Sequence, residues 1–196
     1  MGARVPCCCS EPDLRQGHDT TKAMILRTWY FFAILLAALL MGTSLAHSLE
    51  MPMKMQVDGP LWRTFQHSLY RYFAIIGGPI EIGAILSAAG LAFFARKREQ
   101  PYPLILIGTA CLAAAFLVWL GLVSPVNTQL ATWTSAEAIP TDWMRWRAQW
   151  EYAHLARFIL HLTGLSMLLV AGLNVSTRTP TANHPPNRLT QLEHPS

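Results

Sequence analysis

The segment "WEYAHLARFILHLTGLSMLLVAGL", residues Trp150–Leu173, is apolar enough to cross a bilayer, yet it begins with the ionisable side chains of His154, Arg157 and His161. A charge near the centre of a spanning helix costs about 2.5–3.5 kcal/mol on insertion scales, so such side chains usually face a bundle interior or a wet cavity. The alternative is that Arg157 snorkels to the interface and that the two histidines are hydrogen-bonded packing residues.

The composition of the whole chain is typical of a membrane protein. Hydrophobic residues make up 52% of the sequence and charged residues only 13%, which is unusual for a soluble domain. The net charge of +4 could indicate nucleic acid. However, the basic residues flank apolar runs and form no patch, so we expect a lipid bilayer as partner and no nucleic acid. Three of the four cysteines are consecutive, which gives no disulfide framework.

Four apolar runs meet the requirement of about 20 residues for a spanning helix. They are approximately residues 29–46, 72–95, 104–123 and 152–175. The predicted fold class is therefore all-α: an integral membrane four-helix bundle formed by residues 25–175. Residues 1–24 and 176–196 mix Pro, Thr, Asn and charge without a period, so we expect them to be disordered tails.

The basic residues in the connections predict the orientation of this bundle. They precede the first span, follow the fourth, and form "RKR" (Arg96–Arg98) between the second and third. The positive-inside rule then places both termini in the cytoplasm and the longer connections, about residues 50–71 and 124–151, outside. The expected location is the cell (inner) membrane.

This topology gathers polar side chains at the outer end. His47 and Glu50 end the first span, Glu81 lies in the outer half of the second, and Asn127 and Trp133 follow the third. On the fourth, at about 100° per residue, one face carries a stripe of aromatic and ionisable residues: Trp143, Trp146, Arg147, Trp150, His154, Arg157 and His161. We predict a polar, tryptophan-lined cavity at this end.

Simpler interpretations of the same residues remain open. The tryptophans could form an interfacial belt, and Glu81 could pair with Arg157 or a histidine only to hold helices together. Gly83 and Ser87 have the small-xxx-small spacing of close helix contacts. No H-x-x-x-H or H-E-x-x-H spacing indicates a metal, so we predict none. A haem between His47 and His154 stays an alternative.

Three segments carry a family resemblance: "AHSLEMPMKM" (residues 46–55), "PVNTQLATW" (125–133) and "PTDWMRWRAQWEYAHLARFIL" (140–160). They resemble the DUF1772 family of small four-span membrane proteins, which is also called the anthrone oxygenase family after its fungal members. The resemblance covers about residues 28–175 and is closer to the bacterial members than to the fungal enzymes.

The resemblance implies oxidation of an anthrone to an anthraquinone by O₂ without a dedicated redox cofactor. The matching positions are His47, Glu50, Asn127, Trp133, Trp150, His154 and Arg157. By hypothesis His154, or else His47, removes a proton, and Arg157 and Asn127 stabilise the oxyanion. Trp133 and Trp150 would stack on the ring system, and Glu50 or Glu81 would orient the histidine.

Two other classes of function stay open on the sequence alone. One is a non-enzymatic membrane module that binds a quinone-like or lipid ligand or supports a larger complex. The other is a proton relay or transporter subunit, suggested by intramembrane ionisable groups; four spans are few for transport, so it would need a homo-oligomer. Whether the protein is an enzyme is therefore left undecided by the sequence.

Overall fold

A computed structural model describes residues 11–96 and 101–176 of the chain. This part of the chain contains no strand, which confirms the predicted all-α fold class. It forms six α-helices and one π-helical turn, in the order α1 (Glu11–Lys54), α2 (Gly59–Ser68), α3 (Tyr70–Ala95), α4 (Tyr102–Val118), the π turn (Trp119–Val123), α5 (Ser124–Leu130) and α6 (Trp143–Ser176).

Four stretches are long and apolar enough to cross a membrane: Ala23–Lys54, Tyr72–Ala95, Tyr102–Leu130 and Trp143–Asn174. They confirm an integral membrane protein with the four predicted spans. The second span has the predicted bounds, whereas the other three begin earlier or end later. Hydropathy weakens at interfacial polar residues, but the helix continues through them because each further residue adds a backbone hydrogen bond to an existing helix.

The predicted tails fall mostly outside the described residues. Residues 1–10 and 177–196 are not described, and neither are residues 97–100, which include Lys97 and Arg98 of the "RKR" connection. Residues 11–24 form the first turns of α1, which begins at Glu11. Helix α1 is therefore longer than the predicted first span, since extending a nucleated helix is inexpensive.

The four long helices pack around a core in which many of the side chains are small. Helix α1 contacts α3 and α6, and α4 contacts α6 and α3. Between them lies the small-residue core, defined by buried residues that include Ala33, Ala37, Ala84, Ala88, Leu91, Ile105, Leu112, Leu168 and Ala171. Small side chains let helix backbones approach closely, which is how helices associate in lipid.

Two glycines bring α4 and α6 into backbone contact. A Cβ added at Gly108 would lie 3.1 Å from the carbonyl oxygen of Gly164, and one added at Gly164 would lie 3.2 Å from that of Gly108. The predicted small pair lies at a second close approach, because Ser87 is buried and a Cβ at Gly83 would lie 3.2 Å from Cδ1 of Leu36 on α1.

Helix α2 lies across one end of the bundle, called the α2 end. Asp58 caps it by accepting a hydrogen bond from the Leu61 N–H at 2.9 Å, as a helix N-cap does. Trp62 of α2 is fully buried, with its ring centroid 5.9 Å from that of Trp133. These two residues belong to the aromatic cluster, which also includes Tyr70, Val123, Val126, Leu130 and Trp150.

Candidate functional site

A cavity of about 490 Å³ lies near the α2 end and is lined by residues of all six α-helices and of the π turn. Its volume falls within the ~300–1,000 Å³ usual for small-molecule sites. Six of the residues that the sequence indicated line it: His47, Glu81, Asn127, Trp150, His154 and Arg157. The polar, tryptophan-lined cavity is therefore present at the bundle end where the sequence predicted it.

The stripe on α6 explains how one helix supplies Trp150, His154 and Arg157 to the cavity wall. Arg147, Trp150, His154, Arg157 and His161 are all buried, as the predicted helical face requires. The side chains of Met144, Tyr152 and Ile159 on other faces of α6 are more than half exposed. The part of the stripe from Arg147 onward is thus the inward face of the helix, whereas Trp143 and Trp146 are partly exposed, so an interfacial belt stays an alternative for these two residues.

Two histidines lie in contact inside the cavity. The ring centroids of His47 and His154 are 4.6 Å apart, and both side chains are buried. Nδ1 of His154 lies 2.9 Å from the Trp150 carbonyl oxygen. Because a carbonyl only accepts, Nδ1 carries the proton, and a neutral ring then has its lone pair on Nε2. This hydrogen bond fixes the tautomer in which Nε2 of His154 can accept a proton.

Aromatic rings surround the two histidines. The Trp150 ring lies 3.8 Å from His154 and 5.2 Å from His47, measured between centroids. Tyr70 and Phe73 of α3 approach His47 to 4.8 and 5.2 Å. Trp150 is held in place because its Nε1–H donates to Oδ1 of Asn127 at 3.1 Å. These rings give the cavity flat apolar walls, which suit a planar aromatic ligand.

Four buried side chains continue from the cavity into the bundle and are called the deep polar chain. Nη2 of Arg157 donates to Oε2 of Glu81 at 2.6 Å. The other carboxylate oxygen of Glu81 lies 3.6 Å from Nε2 of His161, and Nδ1 of His161 lies 2.7 Å from Oγ of Ser44. The chain joins α1, α3 and α6, so the pairing of Glu81 with Arg157 that the sequence left as an alternative is present.

Two expected site residues lie outside the cavity wall. The Glu50 carboxylate accepts a hydrogen bond from the Tyr70 hydroxyl and lies 3.5 Å from Nζ of Lys54, so it contacts the wall residue Tyr70 and not a histidine. Trp133 packs against Trp62 in the aromatic cluster. The chain after α5 lies against α2, because Arg63 donates to the carbonyls of Trp133 and Thr134. The indole of Trp133 is not among the residues that line the cavity.

A buried ion pair that the sequence analysis missed lies behind Trp150. Nζ of Lys54 is 3.2 Å from Oε2 of Glu151 and lies 4.7 and 4.8 Å from the ring centroids of Trp150 and Tyr70. Trp62 Nε1–H donates to the other oxygen of Glu151 at 3.3 Å. Lys54 follows His47 by seven positions, so the helical period of α1 could have placed both on one face.

Tyr70 connects this ion pair to the cavity as a neutral hydrogen-bond donor. Burial, together with the hydrogen bond to Glu50, raises the pKa of the Tyr70 hydroxyl above its ordinary value. The hydroxyl therefore keeps its proton at physiological pH and holds the carboxylate of Glu50 beside α3. The sequence signal for Tyr70 was its place at the start of an aromatic "YRYF" segment, just before the predicted second span.

The π turn shapes the remaining wall and was also unexpected. Pro125 has no N–H to donate to the carbonyl one turn earlier, and the π turn at Trp119–Val123 ends two residues before it. Such turns widen a helix and are frequent at functional sites. Here the turn supplies Trp119 and Val123 to the cavity wall.

The described histidines were compared with the grouping that a metal site needs. Within residues 11–96 and 101–176, no group of three or more His, Cys, Asp or Glu side chains is placed to hold a metal ion. The rings of His47 and His154 touch each other directly. No porphyrin plane fits between them, so these residues do not form the haem site that the sequence left as an alternative.

Fold and cavity together define a class: a four-span helical membrane protein with a histidine-containing, aromatic-walled cavity near one end of its bundle. The anthrone oxygenase family model matches residues 65–167, more than half of the chain, and the chain belongs to this family. No curated protein and no solved structure matches the chain. The match includes Glu81, Asn127, Trp150, His154 and Arg157, whereas His47 and Glu50 precede it.

Proposed function

We propose that this protein is a membrane oxygenase that converts an anthrone-like polycyclic phenol to the quinone with O₂. The observation that carries the proposal is His154: its Nδ1–H is bound to the Trp150 carbonyl at 2.9 Å, which leaves Nε2 as an acceptor in an aromatic-walled cavity. A general base beside flat ring walls is what deprotonation of a planar carbon acid requires.

The reaction begins at the methylene carbon between two aromatic rings. Nε2 of His154 takes a proton from this carbon, and the anion delocalises onto the ring ketone as a phenolate. The electron-rich carbon reduces O₂ and forms a C–O bond, which gives a hydroperoxide after protonation. Loss of the second methylene hydrogen with cleavage of the O–O bond leaves a carbonyl and releases water. One oxygen atom enters the product, and the substrate itself supplies all four electrons, so no redox cofactor takes part in this scheme.

Arg157 and Asn127 are the proposed donors to the developing oxyanion. Arg157 engages Glu81 through Nη2 and lines the cavity, so its guanidinium brings positive charge to the cavity wall. Asn127 accepts from Trp150 through Oδ1, so its amide N–H groups can donate. Positioned donors of this kind stabilise charge that develops in a transition state. Glu81 would then position Arg157.

The other indicated residues receive smaller or indirect roles in the proposal. Trp150 stacks on the substrate ring and presents the carbonyl that orients His154. His47 is the second candidate base, since its ring touches His154. Glu50 acts through Tyr70, and Trp133 supports the cluster beneath α2. These last two are positioning residues.

The test is anthraquinone formation and oxygen uptake by membranes that contain the protein, supplied with an anthrone. We expect His154→Ala to lower turnover by about 100-fold or more, as the removal of a general base does. Tyr152→Ala is the matched control, because Tyr152 lies on the same helix with its side chain exposed. Empty membranes correct for spontaneous oxidation of the anthrone.

The outcomes separate the candidate functions. Turnover that persists in the His154→Ala protein at equal abundance would remove His154 as the base. If the wild-type protein forms no quinone above empty membranes, the oxygenase proposal fails. Saturable binding of an anthraquinone to that inactive protein would then favour the non-enzymatic ligand-binding module.

We also propose that both termini lie in the cytoplasm of a cell membrane, so that the α2 end faces outward. The support is that Arg27, near the start of the first span, and Arg96, which follows α3, are exposed at the opposite end, whereas Lys54 at the α2 end is paired with Glu151. A green fluorescent protein fused to the C-terminus should fluoresce and a fused periplasmic phosphatase should be inactive. The reverse pair of results would invert the orientation.

A further inference from the structure

We propose that the cavity is entered sideways from the bilayer, through a mouth between α3 and the π turn that admits a planar aromatic molecule dissolved in lipid. The identity of that molecule rests on the proposed function. The mouth itself rests on the packing of the helices, on the depth of its rim in the bilayer, and on two glycines.

The helices separate where the cavity lies. Helix α3 packs along α4 but, in the described part of the chain, does not pack along the π turn or α5. The first half of α3 supplies one rim through Phe73, Ala74 and Gly78, all exposed, and the opposite rim carries Phe116 and Trp119. Exposed residues that also line a cavity mark the place where it opens.

The rim lies within the apolar segments. Phe73 and Gly78 belong to the span Tyr72–Ala95, and Phe116 and Trp119 belong to the span Tyr102–Leu130. At about 1.5 Å per residue, Gly78 lies roughly 9 Å along the helix from Tyr72. The opening therefore faces lipid, and its rim side chains are apolar or aromatic.

The side of the cavity towards α2 is narrowed by hydrogen bonds between α2 and the end of α5. Helix α2 is tied to the end of α5 because Nε2 of His67 bonds to the Leu130 carbonyl at 3.1 Å. Arg63 of α2 donates to the carbonyls of Trp133 and Thr134. His67 and Ala131 line the cavity next to these contacts and are exposed as well, so the contacts narrow the opening on this side without closing it, whereas no such contact crosses the rim that faces lipid.

Gly77 and Gly78 keep the lateral mouth open. Both line the cavity, and a Cβ added at either glycine would meet no atom within 4 Å. Close packing therefore does not account for these glycines. A large side chain at either position would instead project into free space at the mouth without disturbing the fold, and helix propensity favours nearly any residue over glycine there.

The experiment measures entry directly, without turnover. The protein is reconstituted in phosphatidylcholine vesicles, and quenching of its tryptophan fluorescence by 9,10-anthraquinone is followed by stopped flow. Vesicles that also contain cholesterol take up less anthraquinone from the same aqueous concentration, so the comparison of the two lipid compositions varies the mole fraction in the membrane while the aqueous concentration is held constant. We expect the association rate to follow the mole fraction in lipid.

Gly78→Phe should slow association by about 10-fold, because a gated path changes the on-rate of a ligand. Gly42→Phe is the matched control: Gly42 lies in the first span, also has nothing within 4 Å of an added Cβ, and does not line the cavity. Gly77→Leu gives a second variant at the mouth, should Gly78→Phe alter the helical circular dichroism.

Each outcome decides the proposal. Rates that follow the aqueous concentration, or that Gly78→Phe and Gly77→Leu leave equal to Gly42→Phe, overturn the lateral mouth, and the His154-dependent turnover is then unaffected. Lateral entry without quinone formation keeps the mouth and removes the oxygenase. Absence of saturable quenching in the wild-type protein overturns the mouth as well.

Discussion

The two halves of this bundle are built from the same long helices but are held together differently. The packed half is the small-residue core, where alanines alternate with leucines in the interior and Gly108 and Gly164 bring α4 and α6 into backbone contact. The cavity half contains the aromatic cluster and the buried ion pairs. Its bulky rings keep the helices apart and leave about 490 Å³ unfilled.

The difference shows how stability and chemistry are separated along one set of helices. In lipid, close packing of small residues supplies much of the helix association, and the packed half provides it. A buried ion pair contributes little net stability, because desolvation offsets the Coulomb attraction. The charges of the cavity half are thus better explained by a role in the site than by a contribution to the stability of the fold. The deep polar chain lies where the two halves meet.

Breaking the deep polar chain should have the largest effect on stability. Glu81→Leu leaves the buried Arg157 guanidinium without the carboxylate that lies 2.6 Å away. Removal of one partner of a buried pair costs about 3–5 kcal/mol. The free energy of unfolding, measured in mixed micelles, should fall by this amount.

The double variant Glu81→Leu/Arg157→Leu sharpens the comparison. With both charges gone, we expect most of the lost stability to return while turnover stays absent, since apolar replacement of a whole buried pair is often neutral. A double variant as unstable as the single one would mean that the ion pair itself holds the helices together, and the division between the halves would not hold.

A substitution in the packed half should lower stability by an intermediate amount and leave turnover intact. Gly108→Leu places a Cβ 3.1 Å from the backbone carbonyl of Gly164, which cannot turn away, so α4 and α6 must move apart. Overpacking costs about 1–3 kcal/mol. We expect lower thermal stability with turnover per folded molecule retained.

Gly42→Leu is the control for this overpacking variant, because nothing lies within 4 Å of an added Cβ at Gly42. Equal melting temperatures of the two leucine variants would contradict the role of the α4–α6 contact. Loss of turnover in the folded Gly108→Leu protein would show that the packed half also sets the geometry of the site.

Local patterns were enough to predict the spans and the stripe on α6. Hydropathy reports burial in lipid over windows of about 20 residues, and the helical period places Trp150, His154 and Arg157 on one face whatever the neighbours are. Both features depend only on residues close in sequence. They were therefore predictable before any contact between helices was known.

The site residues that sequence reasoning misplaced or missed depend on distant contacts. Glu50 meets Tyr70 and Lys54 meets Glu151 across different helices, and no period within one helix encodes such pairs. Trp133 belongs to a connection whose path is set by α2. The proline after the π turn was visible, but proline can end, kink or widen a helix, so the outcome required the tertiary structure.

The smallest expected effect distinguishes two glycines of the packed half. A Cβ at Gly83 would lie 3.2 Å from Cδ1 of Leu36, the end of a flexible side chain that can change rotamer, whereas Gly108 faces a backbone carbonyl. Alanine in a helix is favoured over glycine by about 1 kcal/mol, and a slight repacking of Leu36 offsets part of this gain. Gly83→Ala should therefore change the free energy of unfolding by less than about 1 kcal/mol, with stabilisation the expected sign. A loss as large as that of Gly108→Leu would show that the approach of α1 to α3 is as rigid as that of α4 to α6, and that both glycines were required for contact.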